Sequence, residues 1–116
     1  MLKNFKKLTV WQKSMVLVKD LYIIAKQLPV DERYGLRSQV TRAAISIPSN
    51  IAEGCSRHSE TDFRRFLEIA LGSSFELETQ LLIMQKLKLV ESELEMIIDQ
   101  TYEIQKMLQG LMNKLI

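Results

Sequence analysis

Apolar positions along this chain recur at steps of three and four, in four long blocks. In the first block, about residues 10–28, Trp11, Met15, Val18, Tyr22 and Ala25 share one helical face. Val10, Leu17, Leu21, Ile24 and Leu28 form a second apolar row beside it. Thr9 and Gln12 have the spacing of a capping box, and Pro29 ends the helix. In the second block, about residues 36–57, Leu36, Val40, Ala43, Ile47, Ile51 and Cys55 keep one phase straight through the segment SIPSNIAEG. A turn would reset that phase, so a continuous helix kinked at Pro48 is expected. Interior proline lacks the N–H and crowds the carbonyl four residues back, at a cost of about 3 kcal/mol.

The third block, about residues 59–89, opens on Ser59 with Asp62 at the capping-box position. Phe63, Leu67, Ala70, Ser74, Leu77, Leu81 and Met84 make its stripe, and Gly72, Ser73 and Ser74 read as a place for close helix approach. The fourth, about residues 93–115, starts at a capping box Ser92–Glu95 and carries Leu94, Ile97, Thr101, Ile104, Leu108, Leu111 and Leu115. The short connections force antiparallel neighbours. The predicted fold is all-α: an up-down-up-down four-helix bundle in a single domain spanning residues 1–116. Apolar surface on the first and third helices exceeds one seam of about 100°, which predicts a further buried interface and hence an oligomer.

Composition narrows the class. The chain has 116 residues, 47% hydrophobic and 26% charged, with four Gly and two Pro, too few turn formers for an all-β fold. No apolar run reaches the about 18 residues of a membrane span, and the basic N-terminus has no apolar stretch after it, so a cytoplasmic protein without a membrane partner is expected. One cysteine cannot form an internal disulfide. The net charge of +2 is unevenly placed: residues 1–65 hold twelve Lys and Arg against six Asp and Glu, and residues 66–116 hold four against eight. Such asymmetry marks either a nucleic-acid-facing side or a self-complementary surface, unless the folded helices mix the halves.

Enzyme chemistry finds little to work with. One His and one Cys do not make a zinc site or a pair of Glu-x-x-His motifs, so no metal and no cofactor are expected. Cys55 and His58 have nucleophile–base spacing but no third group or oxyanion donor, and read better as a core residue and a helix-end residue. Glu53 reads as the partner of Arg37 or Arg42 rather than as a general base. No phosphate-binding glycine motif is present. The cations are the stronger candidates. Lys3, Lys6, Lys7, Arg37, Arg42, Arg57, Arg64 and Arg65 form the expected phosphate-facing set.

The segments VWQKSMVLVKDLY, ERYGLRSQVTRAAISIPSNIAEGCSR and FRRFLEIALGSSFELETQL resemble the proteins named after the 23S ribosomal RNA intervening sequence. The resemblance covers about residues 8–112. It implies a bacterial four-helix bundle with no enzymatic activity that assembles into a homopentameric ring. A related group, the accessory variability proteins of diversity-generating retroelements, binds nucleic acid and a reverse transcriptase. Two readings stand: a non-enzymatic oligomer that binds RNA or DNA through basic patches, or a ring that scaffolds proteins without nucleic acid.

Overall fold

The four apolar stripes meet in one core. Leu17, Leu21, Val40, Ile47, Ile51, Phe63, Leu67, Leu77, Leu81, Ile104 and Leu108 are fully buried. Each such side chain contributes about 1.5–3 kcal/mol relative to exposure. The structure is a computed structural model that describes residues 4–115. It comprises α1 (Thr9–Ala25), α2 (Leu36–Cys55), α3 (Glu60–Lys86) and α4 (Glu95–Asn113), with 3-10 turns at Phe5–Lys7 and Val30–Glu32. The described residues contain no strand. The bundle measures 44 × 22 × 20 Å.

α2 lies beside α1 and α3, and α4 lies beside α3 and α1. Along the α2–α3 seam, Ser46 meets Ser73 while Gly54 faces Phe63 and Phe66. Residue numbers thus rise on one helix as they fall on the other. α1 and α2 form one side of the bundle, and α3 and α4 form the other. Val10, Leu17 and Leu21 carry the core face of α1. The row Trp11, Met15, Val18 and Tyr22 runs along the outside of the α1–α2 seam, with Met15 45% and Tyr22 42% exposed.

α2 continues through Pro48, whose side chain is buried. Two residues on, the Asn50 amide donates to the Ser46 carbonyl at 2.8 Å and to the Ser46 hydroxyl at 2.9 Å. Ser46 in turn bonds Ser73 of α3 at 2.8 Å. The polar residues of SIPSN therefore tie the helix to itself and to its neighbour. Ser73 and Ser74 bear out the close-approach reading, since Ser74 is buried and donates to the Leu71 carbonyl. Gly72 does not, because a side chain there would point into open space.

Several helix ends differ from the sequence reading. α1 stops at Ala25 rather than Leu28, because Gln27 and Leu28 bond three residues back in a tightened turn before Pro29. α2 stops at Cys55 rather than residue 57. α3 stops at Lys86 rather than Leu89: Lys88 adopts a left-handed φ of 52°, and the Leu89 N–H reaches back to the Met84 carbonyl. That is the helix-ending motif usually marked by glycine. α4 starts at Glu95, and its cap is Leu94 with no side-chain bond, so the expected Ser92 box does not form. Ser92 donates to Gln27 instead. Thr9 and Gln12 form no box either; the cap of α1 is Leu8, and Gln12 donates to the Lys6 carbonyl. Ser59 does cap α3, accepting the Asp62 N–H at 3.1 Å.

Two helical glycines, one on the α2–α3 seam and one in open space, should respond oppositely to alanine. A Cβ at Gly54 would stand 2.8 Å from Phe66 Cβ and 3.1 Å from Phe63 Cδ1, so Gly54→Ala forces α2 and α3 apart and costs about 1–3 kcal/mol. Gly72→Ala, in open space within α3, gains about 0.5–1 kcal/mol. Lys88→Gly relieves the left-handed residue and gains up to about 1–2 kcal/mol. Urea unfolding midpoints of the three variants check the three signs.

Candidate nucleic-acid interface

One end of the bundle gathers most of the candidate cations. The Phe5–Lys7 turn packs on α1 and α2, held by the Phe5 ring against Trp11 with centroids 5.2 Å apart. Asn4 caps the turn by accepting the Lys6 N–H. Lys6 and Lys7 are thereby placed beside the end of α2, and Arg57 stands two residues past that end. The close approach at Gly54 sets the start of α3 against that end, bringing Arg64 and Arg65. Arg64 donates to the Met112 carbonyl at 2.6 Å, which joins the end of α4 and Lys114 to the same region. Glu53, Glu60 and Asp62 are the carboxylates interspersed there.

Not all of these cations are available for a phosphate. Arg64 is half-buried and spent on Met112. Arg57 stacks over the Phe66 ring at 4.7 Å and meets Glu53 at 3.5 Å. Both partners of that ion pair are about half exposed, so it contributes little. It also corrects the expected pairing of Glu53 with Arg37 or Arg42: one helical turn separates Glu53 from Arg57, whereas those arginines lie further up α2. Lys6 sits over the Phe5 ring at 5.9 Å with its ammonium otherwise exposed. Lys7 and Arg65 are exposed and make no ion pair among the described residues. Lys3 lies outside the described residues.

Arg37 lies away from this end, and its guanidinium is engaged within the fold. It sits at the start of α2, roughly 30 Å away along a helix rising about 1.5 Å per residue. Its guanidinium donates to the carbonyls of Ala25, Lys26 and Leu28 at 3.1, 3.3 and 3.2 Å. The Lys26 and Leu28 carbonyls have no backbone donor among the described residues, and the Ala25 carbonyl also accepts the Leu28 N–H, so the guanidinium satisfies the chain just past α1, where a cation also meets the negative end of the helix dipole. Arg42, one and a half turns on, is exposed on α2 and stays apart from the basic end. Sequence reasoning missed the clamp because nothing in the spacing of Arg37 and Ala25 marks a contact between helices.

Cys55 is buried and His58 exposed at the α2–α3 connection. Among the described residues, no group of three His, Cys, Asp or Glu side chains is placed to hold a metal. No helix of the described residues is long and apolar enough to cross a membrane.

The family model described as 23S rRNA-intervening sequence protein matches residues 6–110. The chain belongs to that family. Among solved structures, this bundle is similar to a protein of unknown function from the S23 ribosomal protein family of Bacteroides thetaiotaomicron. The two share 27% identity and a TM-score of 0.82, over 90% of this chain and 96% of the other. No curated protein matches. The matched residues include Lys6, Lys7, Arg57, Arg64 and Arg65 of the basic end, while Met112 and Lys114 lie beyond them.

The clamp gives a direct expectation. Arg37→Ala lowers stability by about 1.5–3 kcal/mol, and Arg37→Lys restores little of it, because an ammonium cannot span three carbonyls in a plane. The same variants leave nucleic-acid affinity unchanged at temperatures where they stay folded. Thermal unfolding alongside a binding titration separates the two effects.

Proposed function

We propose that this family member is a non-enzymatic helical-bundle protein that self-associates and binds nucleic acid, RNA foremost, through the basic end formed by Lys6, Lys7, Arg57 and Arg65. The observation that carries this reading is the gathering of exposed cations from three elements at one end. Lys7 and Arg65 have no carboxylate partner among the described residues. Side chains that only solvated the surface would not need to converge. Long cationic donors around a helix-bundle end suit phosphates read by shape, without base recognition. A ring of five subunits is what the family resemblance implies, and a nucleic-acid-handling enzyme such as a reverse transcriptase is the protein partner it implies.

A second reading is a protein scaffold without nucleic acid. It is favoured by the exposed apolar residues Met15, Tyr22, Phe75 and Leu82 on two sides of the bundle. Titration of a structured RNA from about 20 to 200 mM salt distinguishes the readings. Binding through the basic end gives a linear fall of log affinity with log salt, and each of Lys7→Ala and Arg65→Ala reduces that slope by about 1. Absence of affinity for RNA and DNA at the lowest salt leaves the scaffold reading.

A further inference from the structure

We propose that Arg57, backed by the Phe66 ring, is a stacking platform for an unpaired base, so that the basic end takes single-stranded nucleic acid. The inference rests on the nucleic-acid reading above and names the strand state which that end selects.

Phe66 has a fixed place. It follows Arg65 on α3, is half-buried, and lies against the seam glycine: a Cβ at Gly54 would stand 2.8 Å from Phe66 Cβ. Arg57 stands two residues past α2, where its backbone N–H donates to the Gly54 carbonyl at 3.1 Å. One glycine therefore sets the backbone of one partner and the ring of the other. The guanidinium carbon of Arg57 lies over the Phe66 ring, 4.7 Å from its centroid. Its Nη2 meets a Glu53 carboxylate oxygen at 3.5 Å.

Those two contacts use one face and one edge of the group. Guanidinium N–H bonds point outward in its plane, so Glu53 meets the edge while Phe66 covers one face. The side chain is 43% exposed, and the face turned from Phe66 is its open surface. Glu53 offsets the charge of Arg57, which leaves Lys7 and Arg65 as the stronger phosphate donors and Arg57 as a plane. Unpaired bases stack on guanidinium planes as they do on aromatic rings, and such stacking accepts any base, so no sequence is read. A plane already held in position loses little freedom when a base arrives. Bases stacked inside a duplex do not present their faces to it.

A second cation–ring pair at this end lacks such a plane. Lys6 lies 5.9 Å from the Phe5 centroid, and its ammonium is a point charge. The Phe5 ring is itself packed edge-on against Trp11, with 68° between the planes. Arg57 is thus the flat, partly neutralised member of the basic end, and Lys7 and Arg65 are its exposed charges.

Fluorescence anisotropy of the full chain with two single strands tests the proposal. One is an unstructured RNA of about 12 nucleotides, and the other is the same backbone with its bases removed. Both carry the same phosphates, so charge alone gives them equal affinity and equal salt dependence. Stacking makes the base-bearing strand bind about tenfold tighter. Arg57→Lys keeps the charge and loses the plane, and should bring the two strands to equal affinity with the salt dependence retained. Phe66→Leu, which removes the ring behind the guanidinium, should also equalise them. Circular dichroism and the unfolding midpoint check the fold of Phe66→Leu, and Arg57→Lys, on an exposed residue past the helix, decides alone if that variant fails to fold. Equal affinity of the wild type for both strands overturns stacking and leaves phosphate binding standing. A difference that persists in Arg57→Lys overturns the assignment to Arg57. Absence of affinity for either strand at the lowest salt overturns the nucleic-acid reading and this inference together.

Discussion

The close approach of α2 to α3 at Gly54 is the constraint on which the rest of the bundle depends. A glycine there lets the backbone of α2 lie against Phe63 and Phe66, where a single added carbon would meet Phe66 Cβ at 2.8 Å. That contact fixes one end of the longest seam. Further along, the bonds from Asn50 to Ser46 and from Ser46 to Ser73 fix its middle. With two points set, the Val40–Ile47–Ile51 row of α2 and the Phe63–Leu67–Leu77 row of α3 share one core. Pro48 is tolerated inside a helix so held, because neighbouring polar groups fasten the chain on either side of it. The Gly54 contact also decides the position of Arg57, which reaches the Phe66 ring, and hence the composition of the basic end.

The apolar periodicity made the four helices legible, and their core rows agree with it residue by residue from Val40 to Cys55 and from Phe63 to Met84. Periodicity carries that information because a 3.6-residue repeat must match burial along a whole helix. Helix ends were less legible. A serine three residues before a glutamate is compatible with a cap, but at Ser92 a partner from another connection, Gln27, takes the hydroxyl. A left-handed residue is announced by glycine, and at Lys88 no glycine stands. For the candidate interface, sequence identified the cations but not their employment. Arg37 and Arg64 look like any surface arginine in the sequence, and only the folded chain shows their guanidinium groups bonded to carbonyls 9 to 48 residues away.

The charge asymmetry of the sequence survives folding, for a topological reason. Sequence neighbours α1 and α2 pack side by side, as do α3 and α4, so the basic half, apart from Arg64 and Arg65 at the start of α3, and the acidic half become two sides of the bundle rather than an average. A bundle whose α1–α2 and α3–α4 connections each crossed the diagonal would have interleaved the halves and cancelled the difference. Screening at physiological salt acts over about 8 Å, less than the 20–22 Å width of the bundle, so a partner meeting one side feels that side's charge and little of the other's.

Under the proposed function, nucleic-acid binding at the basic end and association through the sides would use different surfaces of the same molecule. The sides face laterally and the end faces along the helices, so lateral association leaves Lys7 and Arg65 uncovered. A single copy offers few phosphate contacts, and with a slope of about −0.9 per neutralised phosphate its affinity would collapse at modest salt. Copies joined side to side with their long axes aligned repeat the same cations along one rim. A nucleic acid held by one subunit then meets the next at an effective concentration set by their spacing, and affinity grows with the number engaged although no single contact changes. A net charge of +2 is therefore compatible with nucleic-acid binding when the cations are gathered at one end and that end is repeated.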